Sequence, residues 1–90
     1  LGEMVMKTVG SFLAVELMRQ GASPEKACRE VVQRIARRYG DYLDRENQQV
    51  GIIAVNSEGV HGAWSFRKGF SYSVFQDGKS QVLESKYDRD

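Results

Sequence analysis

Apolar residues recur at helical spacing through roughly the first forty positions, then alternate with a period of two from about residue 50. From Glu3 to Gln20 the apolar set is Met4, Val5, Met6, Val9, Phe12, Leu13, Ala14, Val15, Leu17 and Met18. Only a narrow polar stripe through Glu3, Lys7 and Ser11 interrupts it, and a helix apolar on most sides is buried from more than one direction. Gly21 supplies the stop, because glycine takes a left-handed conformation without steric cost. A second helix opens at Ser23-Pro24-Glu25. Serine caps a backbone N–H, proline suits the first helical position, and the acid complements the helix dipole. Ala27, Cys28, Val31, Val32, Ile35, Ala36 and Tyr39 form one face, with Arg29, Glu30, Gln33, Arg34, Arg37 and Arg38 opposite. This helix is expected to be solvent-facing on one side and to end at Gly40.

A polar connection, Asp41 to Gln49, leads to strands. Val50 to Asn56 reads as a buried strand, Ser57-Glu58-Gly59 as a tight turn, and Val60 to Ser65 as its hairpin partner. Phe70, Tyr72 and Val74 alternate with Ser71, Ser73 and Phe75 in a third strand that runs to Gln76. Asp77-Gly78-Lys79 turns again, Gln81 to Ser85 is an edge-strand candidate, and the charged tail Lys86 to Asp90 is expected to fray. Two helices followed by three or four antiparallel strands make an α+β layer, one segment over residues 1–90 with no internal boundary. One face of the first helix meets the strands. Its other apolar side calls for a partner that these elements do not supply.

Composition narrows the chemistry. A chain of 90 residues buries only about 60–65% of its unfolded surface, so its core is thin. The net charge of +1 gives no push toward nucleic acid. The arginines of the second helix read as a solvated face with cations near its C-terminus, and Glu30–Arg34 has the favourable i,i+4 orientation. The longest uncharged stretch, Asn47 to Ser57, is far too short to span a membrane. Cys28 is the only cysteine, so no internal disulfide exists, and no Cys/His cluster has metal-ligand spacing. Cys28 falls on the apolar helix face and reads as core. His61 falls in a strand and reads as structural. Gly62 and Gly69 mark bulges or close backbone approach. No nucleophile–base–orienter set is visible. The chain opens at Leu1-Gly2-Glu3 directly into a helical pattern, which is the expectation for a processed or truncated product.

Several of these stretches together resemble the C-terminal part of the β subunit in the glycosylasparaginase family of N-terminal-nucleophile hydrolases. The residues that carry the resemblance are Gly2-Glu3-Met4-Val5-Met6, Ser11 through Gly21, Ser23 through Cys28, Ile53-Ala54-Val55-Asn56, Gly62-Ala63 and Phe70 through Phe75. The resemblance implies the C-terminal half of a four-layer αββα sandwich. It implies a threonine nucleophile at a self-cleaved subunit start, outside this chain, attacking the side-chain amide of a glycosylated asparagine. No metal or organic cofactor is implied. Partners would be the remaining β-subunit segment and the α subunit of the same precursor, in a heterotetramer of two α and two β subunits, with no nucleic acid and no membrane.

Leu1 and Gly2 match the third and fourth positions of the family's Thr-Gly-x-Gly-(Asp/Glu) element, which contacts the aspartyl part of the substrate. These two are the candidate substrate-binding residues, and no catalytic or metal-binding residue is assigned. Thr8, inside a helix, is not a nucleophile candidate. Leu1 departs from the polar residue common at its position. Ala63-Trp64 and Tyr87-Asp88 stand where animal members carry cysteines. Two alternatives stay open: an isoaspartyl peptidase/L-asparaginase of the sister branch, and a non-enzymatic α+β interaction module.

Overall fold

In the computed structural model, residues 10–46, 48–76 and 78–89 are described. Helix α1 (Gly10–Arg19) and helix α2 (Pro24–Arg45) precede strands β1 (Gly51–Val55), β2 (His61–Arg67), β3 (Ser71–Gln76), β4 (Lys79–Glu84) and β5 (Lys86–Arg89). Glu3 to Val9, the expected first half of helix one, lie outside the described residues.

The local signals act as read. Gly21 takes φ 106°, and the Gly21 and Ala22 N–H groups donate back to the Met18 and Leu17 carbonyls, closing α1 with a Schellman-type cap. Ser23 accepts the Lys26 N–H at 3.2 Å, with Pro24 in the first helical turn of α2. Asn56 Oδ1 accepts the N–H groups of Glu58 and Val60, both at 3.0 Å, and Gly59 takes φ 82° to complete the turn between β1 and β2.

Two expectations are overturned. Gly40 does not end the second helix, which runs on to Arg45. Leu43 extends the apolar row Ile35–Tyr39–Leu43 by one more turn and is fully buried, and that outweighs the roughly 1 kcal/mol propensity cost of an internal glycine. The helix end is closed locally by the Gln48 N–H, which donates to the Leu43 carbonyl at 2.9 Å, and from afar by Arg67, which donates to the same carbonyl at 3.1 Å and to Asp44 at 3.0 Å. The tail does not fray either. Lys86–Arg89 is β5, and it pairs parallel to β2 with Trp64 opposite Lys86 and Ser65 opposite Tyr87. Among the described residues the strands therefore number five and fall into two groups, a mixed sheet ordered β1-β2-β5 and a separate β3-β4 hairpin. The α+β class stands, as expected for a fragment of an N-terminal-nucleophile hydrolase domain.

The layering follows from β2, whose residues Gly62 to Phe66 are all buried. Its even positions meet α2. A Cβ on Gly62 would strike the Pro24–Glu25 backbone, the Arg29 guanidinium lies 5.1 Å from the Trp64 ring, and Phe66 joins the core of Ala27, Cys28, Val31, Val32, Ile35, Leu43 and Val50. Its odd positions meet the hairpin side. Buried Ser65 accepts from Ser85 at 3.0 Å, and His61 reaches Tyr72. In β1, Ile52 and Ala54 turn to the helices, while Ile53 and Val55 are 48% and 61% exposed, so this strand is not covered on both faces by the described residues.

Candidate functional site

Leu1 and Gly2, the substrate-binding candidates, lie outside the described residues. Among the described residues an apolar hollow with a polar centre draws the eye to the sheet and hairpin. That hollow, about 390 Å³, opens between the hairpin-side face of β1 and the hairpin, and is lined by Ile53, Val55, Gly59, His61, Tyr72, Ser73 and Val74. Its polar centre is a hydrogen bond of 3.3 Å between the Tyr72 hydroxyl and His61 Nδ1, with the two rings edge-on at 5.8 Å. Turn geometry explains the pairing. The β1–β2 register sets Val55 opposite His61, and the hairpin lays Tyr72 over that pair.

This arrangement orients two rings but assembles no catalytic set. A hydrolytic triad needs a nucleophile on the base and an orienting group behind it. Here the imidazole nitrogen nearest a hydroxyl contacts a phenol. His61 thus sits as the structural histidine that its strand position suggested. Cys28 is equally removed from chemistry. It is fully buried, and burial, with Glu25 nearby, pushes its thiol from 9.0 up to about 11. The folded state therefore holds the proton that the unfolded chain releases, so any stability this group contributes is present below pH 9 and is lost as pH rises toward 11. Thiol-reagent labelling at pH 8 is expected to be negligible in the folded protein and complete after denaturation. Ready labelling of the native state would contradict this burial.

Two of the arginines of α2 form ion pairs on a solvated face, while Arg29 and Arg38 lie over the Trp64 and Tyr39 rings. Arg34 and Arg37 meet Glu30 at 2.9 and 3.4 Å, and the Arg34 hydrogen bond holds the Glu30 carboxyl below its usual range. Among the described residues there is no group of three or more His, Cys, Asp or Glu that could hold a metal. Among them, too, no helix is long and apolar enough to cross a membrane.

Sequence reasoning missed one polar cluster. Asp88 in β5 accepts the Trp64 indole N–H at 2.9 Å and a longer bond from Gln33, tying β5 to both β2 and α2. A tryptophan in a buried strand requires such an acceptor, but its sequence position was not readable.

Comparison with known proteins places the sequence in a family. Residues 1–84 match the family model described as Asparaginase. The chain is 45% identical to an N(4)-(β-N-acetylglucosaminyl)-L-asparaginase of Elizabethkingia miricola, over 93% of this chain and 25% of that protein. It is 31% identical to the rat protein of the same name, over 97% of this chain and 25% of the relative. A probable isoaspartyl peptidase/L-asparaginase of Arabidopsis thaliana is 33% identical over 81% of this chain and 19% of the relative. The chain belongs to the asparaginase family of hydrolases. Within that family its likeness is to the glycosylasparaginases, and it spans about a quarter of the length of those relatives.

Proposed function

We propose that this segment is part of an amidohydrolase that cleaves the side-chain amide of N4-(β-N-acetylglucosaminyl)-L-asparagine. The observation that carries the reading is the 45% identity, over nearly the whole segment, to a relative named for that substrate. The nucleophile is a threonine at the start of a processed subunit, outside residues 1–90. Its hydroxyl attacks the side-chain amide carbon while its own α-amine takes the proton and passes it to the departing glycosylamine. The C–N bond breaks and a β-aspartyl ester forms. Water then cleaves the ester, releasing aspartate and restoring the threonine, with oxyanion donors stabilising both tetrahedral states.

In this reading Leu1 and Gly2 belong to the loop that contacts the aspartyl part of the substrate, where glycine lets the ligand approach the backbone. The remaining subunit segment and the α subunit of one precursor surround this scaffold in a two-α, two-β assembly. A second reading rests on the Arabidopsis likeness, with isoaspartyl peptides as substrate through the same threonine chemistry.

The test is made on the longer polypeptide that carries this segment. Aspartate release from glucosaminyl-asparagine is expected to exceed hydrolysis of an isoaspartyl dipeptide. Gly2→Val is expected to lower kcat/KM on the order of 100-fold by displacing the substrate. A preference for the dipeptide selects the second reading. Hydrolysis of neither overturns both.

A further inference from the structure

β5 joins the fold almost without apolar contact. Lys86 and Asp88 are exposed, Tyr87 is half-buried, and among the described residues none from β5 belongs to the apolar core. What holds the strand is polar. Its backbone pairs with β2 from Trp64 to Arg67. The Lys86 ammonium meets Glu25 at 3.4 Å, but both side chains are largely in solvent, and such pairs contribute little. Asp88 makes the stronger contact. Its carboxylate accepts the Trp64 indole N–H at 2.9 Å and a longer bond from Gln33 at 3.5 Å. A hydrogen bond to a charged acceptor is stronger than a neutral one. Losing it would leave the indole N–H of a buried tryptophan without its acceptor.

The residue just before β5 is fixed quite differently. Ser85 is buried, its N–H donates to the Phe70 carbonyl at 2.9 Å, and its hydroxyl donates to the buried Ser65 hydroxyl at 3.0 Å. Ser85 is thus pinned between the hairpin and β2, while the residues that follow it are not. Segments with few buried apolar contacts and solvent-facing backbone bonds open at lower free energy than the core they rest on. A pinned residue, a polar strand and a single carboxylate contact near its far end make a hinge, a strap and a latch.

We propose that β5 is a detachable strap, hinged at Ser85 and latched by Asp88 on the Trp64 indole, which opens as a unit while α2, β1 and β2 stay folded. Closed, the short charged strand covers the edge of β2, whose residues Gly62 to Phe66 carry no charge. Open, it bares that edge and the indole N–H together, so the latch governs whether β2 can pair with another strand. The inference is independent of which amide the enzyme cleaves.

Hydrogen exchange on the longer polypeptide that carries this segment tests the strap. In Asp88→Ala the Lys86–Arg89 amides and the Trp64 indole N–H are expected to exchange faster by one common factor, about 10-fold or more. The amides of α2 and β1 are expected to stay within about twofold of the unaltered protein. Asp88→Asn keeps the accepting oxygen and is expected to retain most of the protection. Acceleration spread equally through α2 and β1 overturns the proposal, because β5 then opens only with the core. Unchanged exchange of β5 and the indole in Asp88→Ala overturns the latch. Equal acceleration in Asp88→Asn also overturns it, and assigns the hold to charge and not to the hydrogen bond.

Discussion

Gly62→Val is expected to destabilise the protein by about 3 kcal/mol, at the upper end of overpacking costs. A Cβ at this position would lie 2.7 Å from Glu25 Cα and 2.8 Å from the Pro24 carbonyl carbon. These are backbone atoms of the first turn of α2, not the far end of a flexible side chain. The helix entrance must move, and it is held on both sides of the contact. Ser23 caps it, and the buried Cys28 thiol lies 3.7 Å from the Gly62 carbonyl. For a domain of this size such a loss lowers the melting temperature by on the order of 15 °C. Gly40→Ala is the internal control. Nothing lies within 4 Å of its added methyl and the residue sits inside α2, so the change is expected to stabilise by about 0.5–1 kcal/mol. Thermal unfolding of both variants checks the pair. Equal, small effects would mean that α2 does not press on β2 at Gly62.

Phe66→Ala is expected to cost more still, about 3–5 kcal/mol, and to lower the urea midpoint by roughly 2 M. Phe66 is 1% exposed and is the largest fully buried side chain among the described residues. It stands where α2, β1 and β2 meet, against Ile35, Leu43 and Val50 in one cluster. The Arg67 guanidinium covers its ring at 5.1 Å while tying β2 to the end of α2. Truncation leaves a cavity that neither a helix pinned by Arg67 nor a hydrogen-bonded strand can collapse to fill. A chain of this length has a total stability of about 5–13 kcal/mol, so the loss is a substantial fraction of it. In the longer enzyme the same change is expected to reduce the yield of folded protein before it alters substrate preference. Val82→Ala, at a side chain 71% exposed on the hairpin, is expected to stay within about 0.5 kcal/mol.

Both variants probe contacts of different legibility. The glycine at position 62 could be read as a place of close approach from its strand context, but not what approaches it. Between residues 50 and 85 the sequence has five aromatics, Trp64, Phe66, Phe70, Tyr72 and Phe75, and nothing in their pattern singles out Phe66 as the keystone. The start of α2 was readable because Ser23, Pro24 and Glu25 act on backbone groups within three residues. The end of α2 was not, because the Arg67 side chain that joins the local Gln48 N–H on the Leu43 carbonyl lies 24 positions away. β5 was hidden for the same reason. Its alternating charges read as a solvated tail until the central strand offers backbone partners and Trp64 offers its indole N–H to Asp88. The candidate site was legible only through resemblance. Leu1 and Gly2 carry no chemistry that composition or spacing could reveal, and a substrate loop is recognised by what surrounds it.

By itself, then, the sequence determined the order of two helices and several strands, the caps and turns that bound most of them, and the apolar faces. Each follows from interactions within a few positions or from the period of the side chains. Tertiary structure alone decided that α2 continues to Arg45, that the charged tail becomes a parallel strand, and that the hairpin stands apart from the sheet. Those outcomes depend on partners brought together from distant parts of the chain, and no local preference encodes them.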